Sequence, residues 1–117
     1  MFLTLNHQKL EVYKSARSFV LECYKVSKLL PAGEKYGMVS QIRRAALSVH
    51  LNVAEGSSRR SEAERKRFYE ISRGSIIEID AALDIAQALD YFHLKDIELL
   101  GMHMVKCFKI LTGMLSS

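Results

Sequence analysis

The sequence has few of the residues that interrupt helices, since its 117 residues include one proline and six glycines. A turn-rich β-fold needs many breaks, so this scarcity argues against one. Leu, Ala, Glu, Lys and Arg are abundant instead, and they favour helix. The length is that of one domain over residues 1–117, and an apolar fraction of 49% is sufficient for a core. The composition predicts a single all-α domain.

Signals for disulfides, secretion and membranes are also scarce. Cys23 and Cys107 form no CxxC pair and fall on apolar helix faces, so we expect free, buried thiols. The first residues lack the charged segment and the long apolar stretch of a signal peptide. No uncharged apolar run approaches the ~20 residues that span a bilayer. We therefore expect a cytoplasmic protein without membrane contact.

Motifs for catalysis and for metal binding are missing. There is no Gly-rich phosphate loop and no nucleophile–base motif. His103 and Cys107, four residues apart on one predicted helix, are half of a possible zinc site, but nothing at ligand spacing completes it. Residues 90–93 are the nearest match to a di-iron bundle motif, and they lie at a helix end. The sequence predicts a non-enzymatic protein with no cofactor and no metal.

Apolar residues recur at helical spacing in four segments. The first helix should begin after Asn6, a good N-cap, and end near Leu29 because Pro31 cannot continue it. The second should begin between residues 33 and 38. It should end at Gly56, a residue that can turn left-handed beyond the helix.

The third helix should follow a loop at residues 57–60, with Ser61 and Glu64 as a capping box, and end around residues 89–91. The fourth runs from about residue 94 to 115. Four amphipathic helices with short joints predict an antiparallel, up-down-up-down four-helix bundle. The expected core stripes are Tyr13, Ala16, Val20, Cys23 and Tyr24; Met38, Ile42, Ala45, Ala46, Val49 and Val53; Phe68, Ser72, Ser75, Ile79, Ala82, Leu83 and Ala86; and Ile97, Gly101, Met104, Phe108, Leu111 and Leu115.

The second predicted helix is apolar on its outer side as well. Leu47, Leu51 and Ala54 lie roughly opposite its core residues, and Ile77 has the matching outward position on the third helix. An apolar row on an outer face suggests a contact between subunits. A broad core-facing surface, with the helix phase wrongly assigned, would explain the same pattern. We expect these four residues to form a homo-oligomer interface.

A polar row separates the two apolar faces of that helix. It includes Arg44 and Asn52, and Glu78 lies on a comparable flank of the third helix. Half-buried amides and carboxylates need hydrogen-bond partners, because an unpaired one is costly to desolvate. We expect these three residues to form a buried polar network, within one subunit or between subunits. The alternative is that they serve folding only.

Residues 41–75 carry the excess positive charge. They include eight basic and four acidic residues, a formal +4 that equals the net charge of the whole chain. Because guanidinium groups bind phosphates bidentately, this excess predicts nucleic-acid binding, mostly through the phosphate backbone. The interleaved glutamates leave open the alternative of a solvated charged face. The candidate binding residues are Arg43, Arg44, Arg59, Arg60, Arg65 and Arg67.

The motifs of this segment resemble those of a known family. The runs QIRRAA at 41–46, NVAEG at 52–56 and RGS at 73–75, with Glu78, are similar to the small four-helix-bundle proteins encoded in intervening sequences of bacterial 23S ribosomal RNA genes. The accessory variability proteins of diversity-generating retroelements belong to the same superfamily. The resemblance covers nearly the whole chain. It implies a homopentameric ring of bundles and, in the retroelement branch, a basic surface that engages nucleic acid and the reverse transcriptase.

Together these features predict a non-enzymatic, oligomeric bundle that binds RNA, DNA or a ribonucleoprotein through its arginines. The expected partners are other copies of the chain, a nucleic acid and a nucleic-acid-handling protein. The alternative is a protein–protein interaction scaffold whose basic face binds an acidic protein partner.

Overall fold

A computed structural model describes all 117 residues, from Met1 to Ser117, and contains four α-helices and no strand. Single turns of 3₁₀-helix lie at Asn6–Lys9, Ala32–Glu34 and Leu94–Ile97. The prediction of an all-α fold is confirmed. The four helices are α1 (Glu11–Ser27), α2 (Met38–Ser57), α3 (Glu62–Ala88) and α4 (Glu98–Ser116).

The helices pack in a cycle, in which α1 contacts α2, α2 contacts α3, α3 contacts α4, and α4 contacts α1. Their inward faces form one apolar cluster of 22 buried residues, so each helix is held by the neighbours on both sides. The contact between α2 and α3 is the most extensive. The largest side chains that are fully buried in this bundle are Phe19, Ile42, Ile76, Ile79, Leu100 and Leu111.

The first helix is shorter at both ends than the sequence suggested. A 3₁₀ turn occupies the expected start after Asn6, and extended backbone at Leu10 separates that turn from Glu11. The helix then ends at Ser27, two residues before the predicted position near Leu29. The predicted second helix begins at Met38, inside the expected range.

The predicted role of Gly56 is wrong. It is not a left-handed residue beyond the helix, because α2 continues to Ser57 and no glycine of the chain has a positive φ. Gly56 is buried against α3, where an added Cβ would lie 2.9 Å from the Cβ of Phe68 and 3.0 Å from Cε1 of Tyr69. Glycine is therefore needed here for the close approach of two helices and not for a turn.

The helix α3 ends at Ala88 through a left-handed residue that is not glycine. Asp90 has a φ of 60°. The Tyr91 N–H donates to the Ala86 carbonyl at 3.0 Å, and the Asp90 N–H donates to the Gln87 carbonyl at 2.9 Å. These two bonds are a Schellman motif, in which Asp is tolerated better than most residues. Because neither Gly nor Pro marks this end, the sequence located it only to within a few residues.

The buried face of α3 is partly shifted from the predicted stripe. Tyr69 and Ile76 are buried, whereas Phe68 and Ser75, both expected in the core, are half-buried. The Tyr69 hydroxyl and the Ser57 hydroxyl are 2.8 Å apart and share a hydrogen bond. The ring of Tyr69 thus covers Gly56 of α2, while its hydroxyl group has a hydrogen-bond partner at the edge of the core.

The segment Leu94–Ser116 is long and apolar enough to cross a membrane by length and composition alone, with a mean hydropathy of 1.2. It also carries Lys106 and Lys109, and its Leu100 and Leu111 belong to the core of the bundle. The core helix of a soluble protein passes the same test, so this segment is weak support for a membrane span.

Replacing Gly56 by alanine is expected to lower the free energy of unfolding by about 1–3 kcal/mol, because the added methyl group overpacks the contact with α3. The matched control is Gly74→Ala in α3, where nothing lies within 4 Å of an added Cβ. Helix propensity there predicts a gain of about 0.5–1 kcal/mol. Urea denaturation measures both values, and equal effects would contradict the close approach at Gly56.

Candidate nucleic-acid interface

Four of the six candidate arginines lie together at the joint between α2 and α3. The joint starts α3 as predicted, because the Ser61 Oγ accepts a bond from the Glu64 N–H at 3.1 Å. The reciprocal bond of the expected capping box, from the Ser61 N–H to the Glu64 carboxylate, does not form. We call the four arginines at this joint the joint cluster: Arg59, Arg60, Arg65 and Arg67.

Arg65 is bound to the backbone of its own loop. Its Nη1 donates to the carbonyl oxygen of Arg60 at 2.6 Å and to that of Arg59 at 3.1 Å. One guanidinium group thus satisfies two carbonyl groups in the loop before α3. Arg65 therefore positions its two neighbours in the joint cluster, and less of its own hydrogen-bonding capacity remains for a phosphate.

Phe68 contacts two of the guanidinium groups. The Cζ atom of Arg59 lies 5.0 Å from the ring centroid of Phe68, and that of Arg67 lies 5.4 Å from it. Both distances are within the range of cation–π attraction. Arg59 also forms an ion pair with Glu55 at 2.8 Å, but an exposed pair of this kind is weak. The ring holds two like charges close together on the surface.

Arg60 and Arg67 are exposed and form no ion pair. The glutamate at the start of α3 is used by a different cation, because Glu62 pairs with Lys66 at 3.2 Å. The interleaved acids expected to dilute the charge therefore leave two arginines of the joint cluster available to an anion.

Arg43 and Arg44 do not belong to this group. Arg43 and Arg59 are 16 positions apart, which corresponds to about 24 Å along a helix. The Nε of Arg43 donates to the Ser27 hydroxyl at 2.8 Å, and its guanidinium lies 5.1 Å from the ring centroid of Tyr24. Arg44 is exposed and forms no ion pair. The single basic surface predicted from the sequence is thus divided into two regions.

The predicted polar network does not form within one chain. Glu78 is exposed and accepts a bond from Nε2 of Gln41 at 2.6 Å. Asn52 donates to the carbonyl and hydroxyl oxygens of Ser48, at 2.8 and 3.1 Å. Arg44 bonds to neither of them. Bonds among these residues between subunits stay a prediction.

The outward apolar residues lie on the surface of the single chain. Leu47, Leu51 and Ile77 are 44%, 57% and 51% exposed, and Ala54 is half-buried. Their use as a subunit interface stays a prediction. Sequence reasoning overlooked a comparable exposed row on α4, whose members recur every three residues and could have been found by that spacing: Leu99, Met102 and Val105.

Neither cysteine is arranged as a metal ligand, since no group of three or more His, Cys, Asp or Glu side chains is placed to hold an ion. Cys23 and Cys107 are free and buried, as the sequence predicted. Burial raises the pKa of Cys23 to about 12 and that of Cys107 to about 11. Both therefore stay protonated near neutral pH, and a thiol is a poor nucleophile.

The structure is a small helical bundle with a basic joint between α2 and α3. Comparison with known proteins identifies its family. The sequence matches the family model of the 23S rRNA-intervening sequence proteins over residues 8–113. The chain therefore belongs to this family, which confirms the resemblance in its motifs. No curated protein matches the sequence.

One solved structure is similar to this bundle over most of its length. It is a protein of unknown function from the S23 ribosomal protein family of Bacteroides thetaiotaomicron. The TM-score is 0.81 with 20% sequence identity, over 91% of this chain and 96% of that chain. At this identity the similarity shows the shared fold and nothing about activity.

Replacing Arg65 by alanine is expected to lower the free energy of unfolding by about 1 kcal/mol, because two loop carbonyls lose their donor. Arg60→Ala at the same joint removes a side chain that forms no ion pair, and its effect should stay within about 0.5 kcal/mol. Denaturant midpoints compare the two variants. Identical midpoints would show that Arg65 does not hold the loop.

Proposed function

We propose that this protein is a non-enzymatic module that binds RNA, DNA or a ribonucleoprotein through its joint cluster. The observation that carries the proposal is the convergence of Arg59, Arg60 and Arg67 at one helix joint, where two of them form no ion pair. Phosphate groups suit such a site, because each guanidinium offers a planar fork of donors.

Binding at the joint cluster is mainly electrostatic in this proposal. Contacts between guanidinium groups and phosphates release counterions, so the affinity falls steeply with salt. Phosphate contacts carry no base information, so the joint cluster tolerates different sequences. The bonds from Arg65 to the loop and the contacts of Phe68 with two arginines arrange the donors in advance, which reduces the ordering cost of binding.

The double variant Arg60→Ala/Arg67→Ala is expected to bind nucleic acid more weakly and with a weaker salt dependence. Each lost phosphate contact should reduce the slope of log affinity against log salt by about 0.7 for a single strand and about 0.9 for a duplex. Fluorescence anisotropy with labelled RNA and DNA, across a salt series, measures the slope.

The matched control for this measurement is Lys14→Ala/Lys28→Ala, which removes two exposed charges of α1 and its end that form no ion pair. Its slope should stay closer to that of the wild type. If the wild type binds no nucleic acid at low salt, or both double variants lose affinity equally, the joint cluster is not the binding site. Binding to an acidic polypeptide without competition by nucleic acid would favour the alternative of a protein–protein scaffold.

We also propose that the bundle has antiparallel, up-down-up-down topology. Support comes from side-chain contacts between α2 and α3, which pair early residues of one helix with later residues of the other. Gln41 near the start of α2 bonds to Glu78, whereas Ser57 at its end bonds to Tyr69 near the start of α3. The short connections between consecutive helices agree with the same order.

We propose further that copies of the chain assemble through the outward apolar row, and the family resemblance implies a homopentameric ring. The exposure of Leu47, Leu51 and Ile77 supports a contact that removes them from water. Ala54 extends the row with a small side chain that permits close approach. In a ring, the joint clusters would repeat by symmetry and multiply the charge facing a single polyanion.

Leu51→Asp is expected to dissociate the assembly while leaving the helical content unchanged, because a buried carboxylate without a partner is costly. Leu21→Asp on α1 is the matched control, since Leu21 is 47% exposed and lies outside the row. Light scattering should give the wild type and the control a mass near five times the 13.3 kDa of one chain, and the variant a lower mass. A monomeric wild type would contradict the assembly.

A further inference from the structure

The second basic region surrounds a groove at the start of α2. The groove is an open depression of the surface with a volume of about 480 Å³. It runs between the end of α1, the joint that follows and the first turns of α2. We call it the basic aromatic groove, after the lining residues Tyr24, Lys35, Tyr36, Arg43 and Arg44. Leu47 of the outward apolar row also lines it, so the groove borders the proposed subunit contact.

No carboxylate lines this groove, although three cations do. The acid closest in sequence, Glu34, is engaged elsewhere. It accepts a bond from the Tyr91 hydroxyl at 2.8 Å and another from the Met38 N–H at 3.2 Å. These two bonds, the first more than the second, hold the pKa of Glu34 below its usual value. The groove therefore lacks the interleaved acids that accompany the joint cluster.

The two tyrosines of the groove differ in how far they are covered. Tyr24 is half-buried beneath the guanidinium of Arg43, which the Ser27 hydroxyl fixes in place. Tyr36 is 88% exposed, and the ammonium of Lys35 lies 5.4 Å from its ring centroid. The exposed ring contributes nothing to the core, and its position beside three cations is what distinguishes it from other exposed apolar side chains. Its open face can stack against a flat aromatic partner.

We propose that the basic aromatic groove binds single-stranded nucleic acid, with one base stacked on Tyr36 and the adjoining phosphates on Lys35, Arg43 and Arg44. The inference rests on the proposed binding of nucleic acid and adds a second site, away from the joint cluster, with single strands as its substrate class. A base is free to stack on a side chain only when it is unpaired and unstacked, and aromatic rings beside cations are how sequence-tolerant proteins hold single strands. A duplex can present only its phosphates to this groove, because its bases are paired and stacked.

The test compares Tyr36→Ala with Tyr36→Phe in anisotropy titrations of labelled oligouridine, oligodeoxythymidine and a duplex, each about 15 units long. Tyr36→Ala should weaken binding of the single strands about 5- to 150-fold, the loss expected for one stacked base, and leave duplex binding unchanged. Tyr36→Phe should bind all three like the wild type, because it keeps the ring. Since Tyr36 is exposed in a connecting segment, both variants should fold, and circular dichroism checks this.

The outcomes separate this inference from the proposed function. If the wild type binds neither single strand nor duplex at low salt, both are overturned. If the wild type binds but the two Tyr36 variants have equal affinities, only the groove is overturned. The affinity of Tyr36→Ala for inorganic polyphosphate is a further check. If it falls as much as the affinity for single strands, base stacking is overturned, because polyphosphate carries no base.

A second variant tests the charged side of the groove independently. Arg44 is exposed and forms no ion pair, so Arg44→Gln leaves the bundle intact. It should reduce the salt slope for single strands by about 0.7, while Arg44→Lys keeps the charge and the slope. An unchanged slope in Arg44→Gln would overturn the phosphate contact.

Discussion

The close approach of α2 and α3 is the constraint on which the rest of the bundle depends. Gly56 leaves room for two aromatic residues of α3, and the Ser72 hydroxyl donates to the Val49 carbonyl at 2.8 Å inside the core. Farther along, the Ser48 and Ser75 hydroxyls lie 2.9 Å apart. Small side chains at these positions allow polar groups to pair across the interface while apolar groups pack around them. The two helices stay in contact as far as their joint, so a short loop is enough to connect them.

That short loop has a direct consequence for charge. Arginines of the loop and of the first turns of α3 lie close together, and such like charges would repel unless other groups intervened. The loop carbonyls accept bonds from Arg65, the ring of Phe68 lies beside Arg59 and Arg67, and Glu55 pairs with one of them. At the start of α2 no carboxylate lines the groove, and Glu34, the acid closest to it in sequence, is bonded to a tyrosine of another joint. One helix thus connects a charge-dense joint with a groove where aromatic rings accompany the cations.

Much of the architecture could be predicted because its signals are local. Helical periodicity depends on residues three and four positions apart, and the Ser61 cap depends on a residue three positions away. Pro31 stops a helix by its own covalent structure. Two helix ends escaped this reasoning. Gly56 is the residue type that often ends a helix, but here it allows the close packing of α2 against α3. Asp90 adopts the left-handed conformation that glycine usually adopts.

The sequence by itself determined the four helices, the inward and outward apolar faces, the two free cysteines and the family motifs. Only the tertiary structure decided which charged groups are free. Arg43 bonds to a serine on another helix, and Glu34 bonds to Tyr91, 57 positions away. The physical reason is range: periodicity and caps act over one or two turns, whereas hydrogen-bond partners and exposure depend on which helices lie side by side.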